Sequence, residues 1–146
     1  MAAYYKGLLY APAIDVNSGV VLGTTAPRVI SGFGNSFPAF SGTTYFVMAN
    51  SALTANSISV GTLKWDFPIT EGVSLPSIVV NGNVYTLSDT GNLYVNNGAT
   101  GTLLQTIALG LGQAGKPNSI PASGLGAGDG KIFVPSGSVF AAFAPK

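Results

Sequence analysis

Short runs of β-branched and aromatic residues alternate along the chain with clusters of Gly, Asn, Ser and Pro. The clearest runs are Thr43-Thr44-Tyr45-Phe46-Val47-Met48, Ser77-Ile78-Val79-Val80, Val84-Tyr85-Thr86-Leu87 and Lys131-Ile132-Phe133-Val134. Each has the length of an ordinary strand. No window carries apolar residues at i, i+3, i+4 and i+7 with caps at its ends, so no helix is predicted. Asn81-Gly82-Asn83 separates the second and third runs and predicts a tight hairpin, because Asn and Gly accept positive φ. Ser88-Asp89-Thr90-Gly91-Asn92 is a second turn, leading into Leu93-Tyr94-Val95. The pattern predicts an all-β antiparallel meander.

The meander repeats. Ser36-Phe37-Pro38, Ser74-Leu75-Pro76 and Ser119-Ile120-Pro121 each precede a short strand, a Gly turn and a strand with an aromatic residue. Gly42-Thr43-Thr44-Tyr45 matches Gly82-Asn83-Val84-Tyr85, and Gly130-Lys131-Ile132-Phe133 is a further copy. A longer element runs from Ala13 to Gly23, from Ala55 to Trp65 and from Val95 to Gln105. Its shared glycines, Gly19, Gly61 and Gly101, stand 42 and 40 residues apart. A period near 40 residues with about four short strands each is the size of a propeller blade. The expected division is 1–35, 36–73, 74–118 and 119–146, all within one partial β-propeller domain.

The longer element resembles the tryptophan-docking repeat of quinoprotein (PQQ-type) β-propellers, A-x-D-x-x-T-G-x-x-x-W. The first copy keeps Ala13, Asp15 and Gly19, with Ser18 for Thr and Gly23 for Trp. The second keeps Ala55, Gly61 and Trp65, with Ser57 for Asp. The third keeps Thr100 and Gly101, with Asn97 for Asp and Gln105 for Trp. The resemblance implies four-stranded antiparallel blades, with the Trp side chain packed between neighbours and the Asp/Thr-Gly turn shaping the loop between the two outer strands. Trp65 is therefore expected to be largely buried between adjacent sheets.

Composition narrows the chemistry. The chain has 146 residues, six basic and five acidic, with no Cys and no His. That excludes a disulfide framework, a Cys/His zinc site, a Cys nucleophile and a Ser-His-Asp triad supplied by this chain alone. A net charge of +1 gives no basic field for nucleic acid. Apolar stretches are too short for a spanning helix. Only 8% of residues are charged, so Ser, Thr, Asn and Gly must cover the surface, which suits an extracellular or periplasmic setting.

The acids are Asp15, Asp66, Glu71, Asp89 and Asp129. Asp15 falls at the docking-turn Asp. Asp89 and Asp129 lie beside Gly in hairpin turns, where a short polar side chain bonds nearby backbone N–H groups. Asp66 and Glu71 flank the passage from an outer strand to the next inner strand, which can reach a propeller's mouth. Glu71 is thus the foremost candidate acid or ligand. The resemblance would place quinone over Ca²⁺ held by Glu, Asn and Asp, with a cation nearby. Arg28 and Lys64 are the cations available, but no cluster gathers these groups. No catalytic residue, metal ligand or cofactor is assigned. Gly124-Leu125-Gly126-Ala127-Gly128-Asp129-Gly130 lacks the Lys-Ser/Thr and helix of a phosphate loop and reads as an inter-strand loop. The aromatic residues read as core, with one of Tyr4 and Tyr5 facing outward.

The expected protein is a non-catalytic propeller scaffold or binding module of about three and a half blades. Its apolar edge segments, Val139-Phe140-Ala141-Ala142-Phe143 and the stretch from Tyr4 to Tyr10, are expected to recruit further copies, or the remainder of a propeller, by strand pairing. A fragment of a PQQ-dependent alcohol or sugar dehydrogenase is one alternative. A subunit of a β-rich self-assembling filament is another.

Overall fold

The computed structural model describes residues 3–5, 8–10, 14–15, 38–59, 61–73, 75–109, 124–136 and 139–144. Every regular element among them is a strand. β1 (Ala3–Tyr5), β2 (Leu8–Tyr10) and β3 (Ile14–Asp15) form a first sheet. β4 (Ala39–Ser41), β5 (Thr44–Ala49), β6 (Ala52–Ser57) and β7 (Leu63–Pro68) form a second, in chain order. β8 (Ile78–Val80), β9 (Asn83–Leu87), β10 (Asn92–Asn97) and β11 (Leu103–Ala108) form a third. β12 (Gly126–Gly128), β13 (Lys131–Ser136) and β14 (Val139–Phe143) form a fourth sheet of three strands. All pairing is antiparallel. The side chains of Tyr4 and Tyr5 lie outside the described residues, as do Ser36, Ser74 and the Ser119-Ile120-Pro121 copy.

The register refines the repeat. Ala39 faces Phe46, Ile78 faces Tyr85 and Gly126 faces Phe133 across the first strand pair of each sheet. Phe46, Tyr85 and Phe133 are therefore equivalent, so Tyr45 matches Val84 and not Tyr85. The 40-residue match of the aromatic strands is one residue out of step. The extra residue sits in the β9–β10 turn, which is longer than the Asn50-Ser51 turn between β5 and β6. After it the 40-residue spacing holds: Trp65 lies opposite Ala55, and Gln105 opposite Val95. Both outer pairs also break register at the same place, between Ala55 and Asn56 and between Val95 and Asn96. The segment 124–130, read from sequence as a loop, contains β12, and its Asp129-Gly130 pair makes the turn into β13 with both φ positive. Gly-rich composition hid a short inner strand whose partner, β13, supplies the side chains.

Strand alternation gives each sheet two faces. Phe46, Met48, Leu53 and Ala55 share one face of the second sheet, called here the forward face, and pack with Val79, Val84 and Tyr94 of the third. The equivalent residues of the third sheet, Tyr85, Leu87, Leu93 and Val95, pack with Ile132, Val134 and Phe143 of the fourth, joined by Leu125. The second, third and fourth sheets thus stack in chain order, forward face on the next sheet's back face. Burying a Phe or Leu side chain contributes roughly 1.5–3 kcal/mol, so these two seams supply the main apolar stabilisation of the described residues.

Candidate functional site

The seam between the second and third sheets is built around Trp65. Its Nε1–H donates to the Gly98 carbonyl at 3.1 Å, and its ring lies 5.7 Å from that of Phe46. Gly101 lies directly against the indole: a Cβ there would come within 2.7 Å of Cδ2. The turn that presents Gly98 and Gly101 is fixed by Asn97, whose Oδ1 accepts from Ala99 N at 2.9 Å and Thr100 N at 3.1 Å. Gly101 N returns to Asn97 O at 2.8 Å, with Gly101 at φ +77°. The second sheet repeats this closure between Gly61 N and Ser57 O, also at 2.8 Å. Buried Asn96 donates to the Gly101 carbonyl at 3.0 Å. Trp65 therefore docks one sheet on the next, with most of its surface covered and a minor part left accessible. Its strand is the outermost of its sheet. Gly101→Ala is expected to cost about 2 kcal/mol, from positive φ and the indole clash together. Chemical denaturation measures it.

Glu71 follows β7 in the passage to β8. Its Oε2 accepts from the Tyr94 hydroxyl at 2.6 Å and its Oε1 from Asn92 Nδ2 at 3.0 Å. The Tyr94 bond, foremost, and then the Asn92, Ser88 and Thr90 bonds hold Glu71 below its ordinary value, against burial, which pushes it up. Tyr94 is raised, first by burial and then by Glu71, and its ring lies 5.7 Å from that of Phe67. The carboxylate thus ties the passage out of the second sheet to β10 of the third. A depressed folded pKa contributes stability above the ordinary value near 4.5 and loses it as pH falls through the folded value. Glu71→Ala is expected to cost about 1 kcal/mol near neutral pH and less in acid. Urea midpoints at pH 7 and pH 3 test this, and an equal cost at both would contradict it.

The other acids do not join Glu71 in a site. Asp66 is exposed on β7, paired with Thr54, and Asp129 is exposed in its turn. Asp15 ends β3, with its side chain outside the described residues, as is Arg28. Asp89 departs from the turn-capping role expected of it. Its Oδ1 is buried with no hydrogen-bond partner, and its backbone N–H goes to Gly72 O at 2.9 Å. Ser88 caps the turn instead, its Oγ accepting from Asn92 N at 3.0 Å. Lys64 donates to Thr44 Oγ1 at 2.6 Å, at the opposite end of the sheet from Glu71. The described residues therefore do not gather the acid, amide and cation that a quinone and Ca²⁺ would need.

The seam between the third and fourth sheets differs from its predecessor. Gln105 stands where Trp65 stands, and a groove of about 300 Å³ opens beside it. Tyr85, Leu93, Val95 and Ile107 line one wall, and Ile132 and Phe143 the other. Ahead of the fourth sheet the contrast is larger. Phe46 and Leu53 are 1% and 0% exposed, and their third-sheet equivalents, Tyr85 and Leu93, 5% and 0%. The fourth-sheet equivalents Phe133 and Phe140 are 38% and 70% exposed, and Ala142 is exposed with them. Sequence reasoning marked the β14 segment and the replacement of Trp by Gln105, but gave Tyr85 and Tyr94 no role in a site. The 40-residue step from Trp65 to Gln105 was the available signal for the groove.

No family model matches the chain, and no curated protein does. Solved structures match it in fold. BamB from Moraxella catarrhalis aligns over 79% of this chain and 48% of that chain, at 12% identity and a TM-score of 0.53. Saccharomyces cerevisiae Sqt1 aligns over 89% of this chain and 36% of its own, at 15% identity and 0.58. The computationally designed Ika4 protein aligns over 78% of this chain and 92% of its own, at 13% identity and 0.50. The chain has an all-β, β-propeller-type fold, with the second and third sheets as four-stranded antiparallel blades. It spans about half the length of the BamB chain and about a third of the Sqt1 chain.

Proposed function

We propose that this chain is a non-catalytic, propeller-type scaffold, one partial domain over 1–146, that works by assembling with a second copy of itself. The observation that carries this reading is the bare forward face of the fourth sheet. The same positions are sealed by a following sheet at both earlier seams, and single-domain surfaces rarely leave an aromatic such as Phe140 open in a sheet edge. Two copies with four sheets each would make a ring of eight, within the usual four to eight blades. The Trp65 docking on Gly98 and Gly101 supports assignment of the repeats to the PQQ type. The sparse charge, which leaves Ser, Thr, Asn and Gly to cover the surface, favours an extracellular or periplasmic setting. The dispersal of Glu71 and Lys64 to opposite sheet ends supports a non-catalytic role.

Hydroxyl-radical footprinting tests the assembly. Phe140 and Phe133 should become protected as protein concentration rises through the micromolar range. Oxidation of both at a constant, high rate would remove the basis of this reading. Adding PQQ and Ca²⁺ to the purified chain is expected to give no dye-linked alcohol oxidation, and turnover would favour the dehydrogenase alternative.

A further inference from the structure

We infer that the seam between the third and fourth sheets is a peptide-acceptor site, taking an extended, weakly charged segment that inserts a large aromatic side chain. The groove is the counterpart of the space that Trp65 fills one seam earlier. There an indole sits beside Phe46, donates its N–H to a main-chain carbonyl and rests on Gly101. Here Tyr85 stands in Phe46's place and Gln105 in Trp65's, and about 300 Å³ is open. The space is at the lower end of the usual size for ligand pockets.

Three observations define the occupant. The groove's lining is apolar and aromatic with the uncharged amides of Asn83 and Gln105, and carries no acid or base, so a charged side chain would be desolvated without a partner. One wall ends at Phe143 and Ala144, at the end of β14, which among the described residues has a strand on one side only. An extended segment laid along that edge gains main-chain hydrogen bonds, and its alternate side chains enter the groove. Exposed Leu104, 52% accessible, lies at the opposite rim and would be covered by the same segment. The inference is separate from assembly through Phe133 and Phe140, which project from the other face of the fourth sheet.

The probe is a fluorescein-labelled synthetic peptide with the sequence of residues 61–69, which carries Trp65 in the setting of an outer strand. Fluorescence anisotropy with the full chain should saturate in the micromolar range, and amides 139–143 should gain hydrogen-exchange protection. Gln105→Trp, placed on an exposed outer strand with open space beside it, should fill the groove from within and weaken binding at least tenfold. The peptide carrying Trp65→Ala should weaken equally. Phe140→Asp should leave peptide binding intact, which separates this site from the assembly face. Binding that is absent, or indifferent to Gln105→Trp and to loss of the peptide's Trp, would overturn the inference.

Discussion

Trp65→Ala is expected to lower the unfolding free energy by about 3 kcal/mol, at the low end of the range for removing a large aromatic. Trp65 keeps a minor part of its surface accessible, so the burial lost is less than for a fully sealed core aromatic. Against that, the substitution orphans the Gly98 carbonyl, uncovers Gly101 and strips a ring contact from Phe46. These losses all fall on one seam, so the effect should extend beyond β7. Amides of the 97–101 turn should exchange faster, while the Ile132 and Val134 seam should hold. Trp65→Phe should recover much of the packing but not the hydrogen bond. A loss below about 1 kcal/mol, typical of a surface substitution rather than a packed one, would mean that Trp65 decorates the sheet edge without docking it.

Phe140→Asp is expected to abolish self-association, with an apparent dissociation constant raised at least a hundredfold, about 2.7 kcal/mol. The carboxylate would sit at the centre of the forward face, flanked by Phe133 and Ala142, where a following sheet would bury it without a partner. Folding should be nearly unaffected, because the ring is 70% exposed in the single chain. Leu53→Asp, the equivalent change in the second sheet, should instead unfold the protein, since Leu53 is fully buried. The contrast between these two aspartates at one repeat position separates an interface residue from a core residue.

Much of the architecture was legible because strand length, Gly turns and a period near 40 residues all point the same way. The docking element was legible too, since Gly61, Trp65 and Gly101 are fixed by geometry that few other residues satisfy. The register of the aromatic strands was not. One extra residue in the β9–β10 turn shifts Tyr85 against Tyr45, and similarity of residue type cannot reveal a shift that leaves both faces apolar. Glu71 was correctly singled out by its place after the outer strand, but its partners Tyr94 and Asn92 lie in the next repeat, 23 and 21 residues away. Long-range bonds of that kind leave no local pattern.

The exposed forward face of the fourth sheet, with Phe140 70% accessible, is proposed to be completed by a second copy. Sedimentation velocity of the purified chain, from one to one hundred micromolar, tests it most directly. A species of twice the chain mass is expected to persist at low micromolar concentration and to give way to monomer in Phe140→Asp. A folded monomer across the whole range, with the Phe140→Asp variant sedimenting identically, would contradict it.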